Sequence, residues 1–408
     1  MMALRAAKAA LFGMFLNYYC YYIINGRFIP GGTIIFLGIS VFFVGMDMLN
    51  QRYIRIGNEI KCWILYAILS LITTTILMIG SKNTGYIGEI IKYVQRLAVI
   101  VMISYICERE GSVRFGLQLM AVTATAASIS ILSVVDDIRL KLSISTDASL
   151  SANDIGAIMA FGTFAVFFCL GKRNKPSFLL SALKVAAAIS ILSVIFIAGS
   201  RKSITAVVIM LVLLAVLCFP DYVRQKNIKQ LLITIIIGVI AYSFVSQYLL
   251  PYAEQTNLYT RLLGKGVQGA SSSDEIRIDL YRWAMEDFLA HPLFGLGYNQ
   301  YVKHHGNYTH STYAEPLACS GLLGLLYLYP YFSMLKKQIY LIWRTPKKSL
   351  ERLKQKEIFV YYCMFLFVGV GIPYMYKDVP CILLGTFLGS QAISFEELRT
   401  LGRTSIDY

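Results

Sequence analysis

The chain is built from apolar runs that recur again and again, most close to the length needed to cross a bilayer, and this recurrence constrains its fold more than any motif does. A helix needs about 20 predominantly apolar residues to span the hydrocarbon core. Twelve runs approach that length: 9 to 25, 31 to 49, 62 to 80, 87 to 106, 116 to 134, 154 to 170, 179 to 198, 203 to 219, 230 to 249, 315 to 334, 357 to 373 and 379 to 394. With 57% hydrophobic residues, 15% charged residues and a mean hydropathy of +0.60, a soluble globular fold is excluded. Lipid offers no partner for backbone N–H and C=O groups, so only helices or closed barrels span it. Continuous rather than alternating runs select helices. The expected fold is all-α: one polytopic integral membrane domain over 1–408 with about twelve transmembrane helices.

The formal net charge is +15. In a membrane protein such an excess sets topology before it suggests nucleic acid, and no nucleic-acid partner is expected. If the N-terminus is cytoplasmic, 23 Lys and Arg fall in cytoplasmic segments and 12 on the opposite side. That bias puts both termini in the cytoplasm and makes 251–313, between the ninth and tenth runs, a large external loop. Met1 to Ala10 carries Arg5 and Lys8, but no small-residue cleavage site follows, so the first run is kept as a helix. The eight cysteines lie in or at the ends of apolar runs without CxxC spacing, which argues against a disulfide framework or zinc site.

The polar loop concentrates the proton and anion chemistry. All four histidines, His291, His304, His305 and His310, lie in it, with Arg261, Arg277, Arg282 and the turn-forming Gly295, Gly297 and Gly306. Asp274 to Leu289 places Ile276, Leu280, Trp283, Ala284 and Phe288 at near-helical spacing, predicting an amphipathic helix that His291-Pro292 ends.

His310 sits at the boundary between loop and span, where a neutral imidazole can take a proton from an attacking hydroxyl or merely hydrogen-bond locally. His304 and His305 fit a hydrated loop better than a metal site, since adjacent histidines point apart; no metal or cofactor is expected. Arg201 and Lys202 interrupt a long apolar stretch on the outer side, against the positive-inside preference. A phosphate group held by a guanidinium fork would repay them, and snorkelling would explain them equally. Arg277 and Arg282, five residues apart, do not share one helix face, so Arg277 can serve a site while Arg282 meets solvent or an acidic neighbour. Lys92, Arg96 and Lys184 lie inside runs, where a charge costs about 2.5 to 3.5 kcal/mol. Arg96 either extends a cationic pocket or pairs with a carboxylate such as Asp154. No P-loop, G-x-S-x-G elbow or sugar-nucleotide site is present, so the substrate arrives already activated in the membrane.

The run Arg277-Ile-Asp-Leu-Tyr-Arg-Trp-Ala-Met-Glu-Asp-Phe-Leu-Ala-His291-Pro292-Leu-Phe-Gly295-Leu-Gly297, then Thr309-His310-Ser311 and Gly321-Leu-Leu-Gly324, resembles the O-antigen ligase/polymerase superfamily of bacterial membrane enzymes. Gly199-Ser200-Arg201-Lys202-Ser203 is similar to that family's Gly-Ser-Arg corner, and the resemblance is strongest over 198–330. It implies a glycosyltransferase of the bacterial inner (plasma) membrane. Arg201 and Arg277, with Lys202 and Arg96 beside them, would bind the diphosphate of an undecaprenyl-diphosphate-linked oligosaccharide, and His310 would act as general base. Ser311 stands where the family commonly has asparagine, and Tyr281 where tryptophan is common. The implied reaction is metal-independent and inverting, and builds a surface polysaccharide such as capsule, exopolysaccharide or O-antigen. The expected partners are membrane lipids and, on the same route, a chain-length regulator and a flippase. Ligation of a finished glycan to a lipid core, and lipid-linked oligosaccharide transport, are the alternatives.

Overall fold

A computed structural model describes residues 2–23, 31–51, 57–79, 84–133, 152–169, 178–198, 200–224, 268–347 and 349–404. Among them there is no strand. The helices are α1 (Met2–Ile23), α2 (Gly32–Asn50), α3 (Asn58–Leu77), α4 (Gly85–Arg109), α5 (Arg114–Leu132), α6 (Ala152–Cys169), α7 (Phe178–Ala198), α8 (Arg201–Leu213) and α9 (Phe219–Arg224). After them come α10 (Gln268–Ala290), α11 (Tyr301–His305), α12 (Ala314–Ser320), α13 (Gly324–Arg344), α14 (Leu350–Gly369) and α15 (Val379–Thr404). Eleven of the twelve apolar runs fall on these helices, and the ninth, 230–249, lies outside the described residues. Seven helices among the described residues are long and apolar enough to cross a membrane, from Gly32–Asn50 to Val379–Leu398. The chain is an all-α polytopic membrane protein.

Two runs differ from their expected form. The run at 203–219 begins as α8 and passes through a π-helical turn at Leu214–Cys218 into α9. The run at 315–334 is broken: α12 stops at Ser320, Gly321–Leu323 forms a 3-10 turn with Gly321 at φ 58, and α13 continues to Arg344. Only glycine adopts that φ without a Cβ penalty.

The chain forms two compact units, one of Met1–Tyr53, Ile106–Gly266 and Arg344–Met364, the other of Ile54–Tyr105, Val267–Trp343 and Phe365–Tyr408. In the first, α1 packs on α2 and α5, and α6 packs on α5, α7 and α8. Small residues allow the close approaches: a Cβ on Gly162 would stand 2.2 Å from Ala124 Cβ, and one on Gly156 2.3 Å from Ser203 Oγ. Between apolar helices in lipid, such contacts replace the hydrophobic drive with dispersion.

The second unit has an aromatic core. Trp63, Tyr66, Tyr93, Tyr298, Tyr327 and Tyr331 are all at most 3% exposed. Several of their polar ends are tied: Trp63 Nε1 donates to Tyr327 O at 3.0 Å and Tyr66 Oη lies 3.1 Å from Ser320 Oγ, both between helices, and within α13 the Tyr327 and Tyr331 hydroxyls are 2.9 Å apart. A tyrosine buries its ring at little cost only when its hydroxyl finds such a partner. The amide of Tyr298 donates to Thr74 Oγ1 at 2.7 Å, joining the polar loop to the end of α3.

Candidate functional site

Helix α10 is the amphipathic loop helix. It starts earlier than its sequence pattern suggested, at Gln268, and its inward face is set differently. Leu280 and Ala284 are buried and Arg277, Tyr281 and Asp287 half-buried, a spacing of three and four. Ile276, expected on that face, is 52% exposed. Four residues before Leu280, it lies about 40° beyond it and about 80° from Ala284, at the outer edge of the stripe. Arg277 thus lies on the packed face. Arg282 lies outward and binds Asp279 at 2.8 Å and Glu286 at 3.8 Å. Burial raises the Tyr281 phenol above its ordinary range, and the nearby Arg277 charge partly offsets this.

The segment after α10 docks main chain against main chain. Leu296 N donates to Ala318 O at 3.1 Å, Gly297 N to Cys319 O at 2.8 Å and Leu322 N to Pro292 O at 2.7 Å. A Cβ on Gly295 would lie 2.4 Å from Ser320 N, one on Gly321 2.4 Å from Pro292 O, and one on Gly324 2.4 Å from Pro316 O. The spacing of glycines in Gly295-Leu-Gly297 and Gly321-Leu-Leu-Gly324 therefore marks where two backbones touch. Around this contact Leu280, Ala284, Tyr301, Ala318 and Cys319 form a small apolar core, with Trp283, Leu296 and Ala314 at its margin.

His310 follows on a turn built to hold one conformation. Its φ is 57°, in the left-handed region, which costs an L-residue about 1 to 2 kcal/mol. Bonds on both sides enforce it. Upstream, the Thr309 amide donates to Glu315 Oε2 at 2.7 Å. Downstream, Ser311 Oγ accepts from the amides of Tyr313 at 3.2 Å and Ala314 at 3.3 Å, and the Thr312 amide donates to Gly369 O at 2.8 Å. The Thr312 hydroxyl donates to Ile372 O and accepts from the Tyr374 amide. Ser311, where asparagine is common in the resembling family, thus caps the start of α12. The imidazole meets the Tyr308 ring edge-on at 5.4 Å between centroids, and Lys377 Nζ lies 5.7 Å from the centroid of that same ring.

Of the other histidines, His305 serves structure. His305 is not in a hydrated loop as expected. Its Nε2 lies 2.8 Å from Asp287 Oδ2, and its ring stacks on Trp283 at 5.1 Å and an interplanar angle of 11°. His304 and His291 are exposed. No group of three His, Cys, Asp or Glu able to hold a metal occurs among the described residues.

Arg96 lies in the same unit as His310 and Arg277. Its carboxylate partner is Asp378 rather than Asp154: Nε lies 2.7 Å from Asp378 Oδ1, and Nη1 donates to Met375 O at 3.1 Å. Lys92 is exposed and bonds Glu89 at 2.7 Å. In the other unit, α7 ends at Ala198 and α8 opens on Arg201 and Lys202. Ser200 and Ser203 hydroxyls are 2.8 Å apart, and Gly156 lets α6 close on this corner. The Arg201 side chain lies outside what the structure describes. Two cations in the first turn of a helix add to the positive end of its dipole, an unfavourable placement of about 0.3 to 1 kcal/mol each that an anion would reverse.

The sequence reading missed Glu315 and Asp378. A carboxylate just inside an apolar run, and another just before the last run, were the available signals.

Residues 185–329 match the family model described as O-antigen ligase, about a third of the chain. The matched stretch contains the Ser200–Lys202 corner, α10, the glycine contacts and the His310 turn. No curated protein matches the chain.

Proposed function

We propose, from the match of residues 185–329 to the O-antigen ligase family model, that this multi-pass membrane protein is a glycosyltransferase, a polymerase that joins undecaprenyl-diphosphate-linked repeat units into a surface polysaccharide. An acceptor sugar hydroxyl attacks the anomeric carbon of the donor glycan. The new glycosidic bond forms as the bond to the diphosphate breaks, the anomeric centre inverts, and undecaprenyl diphosphate departs with the added negative charge. His310 takes the hydroxyl proton, and Arg201, Lys202 and Arg277 stabilise the charge on the leaving group. Arg96, its guanidinium already matched by Asp378, forms part of the wall. No metal is required, and the loop faces outward from the plasma membrane.

The observation that carries this reading is the His310 turn: a left-handed histidine fixed at both ends, in the same unit as a half-buried Arg277 and within the matched region. Ligation to a lipid core is the second reading, favoured by the description of the matching family. Transport was suggested by charges inside the spans, but Lys92 and Arg96 each face a carboxylate partner.

The test is reconstitution of the purified protein with an undecaprenyl-diphosphate repeat unit, without metal or nucleotide. A ladder of longer lipid-linked glycans is expected, lost in His310→Ala and Arg201→Ala and indifferent to chelator. Product only when a lipid-core acceptor is added selects ligase. Transbilayer movement without bond formation selects a transporter.

A further inference from the structure

We infer that Glu315 is the positioning residue that holds His310 in its working conformation, an assignment that rests on the reading of His310 as the base. Glu315 is the second residue of α12 and is wholly buried. A carboxylate removed from water costs several kcal/mol unless donors converge on it. Here they do: the Thr309 amide meets Oε2 at 2.7 Å, while the Tyr376 hydroxyl and the Cys319 thiol meet Oε1 at 3.1 and 3.7 Å.

These contacts reach His310 by two routes. The first is covalent and short: Thr309 is the residue before His310, so its amide fixes the backbone entering the left-handed position. The second runs through rings. Tyr376 stands 6.1 Å from Tyr308 between centroids, and Tyr308 meets the imidazole edge-on at 5.4 Å. Backbone and ring are thus both referred to one carboxylate. Ser311 bonds back across His310 to the Thr309 hydroxyl, its amide donating to Oγ1 and its carbonyl accepting from it, each at 3.2 Å, but these bonds stay within the turn, and it is Glu315 that ties the Thr309 amide to α12. Without the upstream anchor, His310 can relax out of its left-handed conformation, and a general base displaced by about 1 Å can lose about a hundredfold in rate. Glu315 is buried and acts through His310 rather than on a reacting atom.

The test compares purified full-length Glu315→Ala, Glu315→Gln and Glu315→Asp in the reconstituted reaction, measuring kcat, KM for the lipid-linked unit and the thermal midpoint. The Ala variant is expected to lose about 10- to 100-fold in kcat with KM unchanged within about twofold. Gln keeps an acceptor for the Thr309 amide, while its NH2 meets a hydroxyl and a thiol that can both accept; it should recover kcat to within about fivefold of wild type. Asp keeps the charge but is one methylene short of Thr309, and should resemble Ala. If the Ala variant does not fold, Asp decides in its place. Wild-type kcat in Ala or Asp, or Gln no better than Ala, overturns the assignment. An active wild type with undiminished variants removes this assignment alone, whereas a wild type that forms no product removes the polymerase reading with it.

Discussion

The Tyr281 hydroxyl donates to the Val370 carbonyl at 2.9 Å, so the loop helix that carries Arg277 is tied to the segment just after α14. The same segment receives the His310 turn, through Thr312 N to Gly369 O at 2.8 Å. Arg277 and His310 are therefore referenced to consecutive carbonyls. Tyr281→Phe removes one of these ties, and is expected to raise KM for the lipid-linked donor about fivefold with kcat nearly unchanged, as loss of a single hydrogen bond of about 1 kcal/mol would. Tyr281→Trp, whose indole N–H can donate from the same side, should restore part of the loss. Equal kinetics for the Phe variant and wild type would show that the tie does not matter to the donor.

Arg277 and Arg282 sit on opposite faces of one helix, and their substitutions should separate accordingly. Arg277→Ala is expected to lower transfer about 100- to 1000-fold, the scale for removing a group that stabilises charge in the transition state. Arg282→Ala, which breaks only exposed pairs, should stay within about twofold. Initial rates of glycan extension at saturating donor decide this, and comparable losses in both variants would mean that the burial of Arg277 is merely structural.

Glycine substitutions should rank by what surrounds them. Gly295→Ala and Gly321→Ala each add a left-handed penalty and a contact of 2.4 Å with main chain, which cannot rotate away. Gly306 also has positive φ, 74°, but nothing lies within 4 Å. Gly306→Ala should cost about 1 kcal/mol, and the other two markedly more, read as thermal midpoints in detergent. Similar midpoints for all three would deny the backbone contact between the loop and α12.

Burial raises the phenols of Tyr298, Tyr301 and Tyr376 above the ordinary tyrosine range. Tyr301 also donates to Leu280 O at 2.6 Å and must be neutral to do so. A folded pKa above the unfolded value gives stability that is complete below about pH 10 and is lost as pH rises beyond it. The thermal midpoint should thus be level through neutral pH and fall above about pH 10, less steeply in Tyr301→Phe. A midpoint that stays level to about pH 11 would contradict the burial of these hydroxyls.

The spans were legible because lipid demands length and apolarity, and both are written residue by residue. The helix at 274–289 was legible by period, yet Ile276, assigned to the packed face, lies at its exposed edge, since an apolar side chain beside a membrane need not face protein. His310 and Arg277 stood out by residue type and position. Glu315 did not, because its role lies in contacts to Thr309 and Tyr376, the latter 61 residues away along the chain. Asp378 was equally hidden: its partner Arg96 lies 282 residues earlier, and no local spacing announces such a pair.

The joint between Pro292–Gly297 and Ala318–Leu322 is made by main-chain amides and carbonyls. Peptide groups are the same whatever residue bears them, so this joint makes no demand on the exposed side chains of Lys303, His304 and Asn307, while Tyr298, Tyr301, His305, Tyr308 and Thr309 keep their packed places. It marks a natural boundary for grafting. Exchanging the exposed stretch around Lys303, His304 and Asn307 for another sequence of the same length should leave the scaffold seated, read as an unchanged thermal midpoint in detergent.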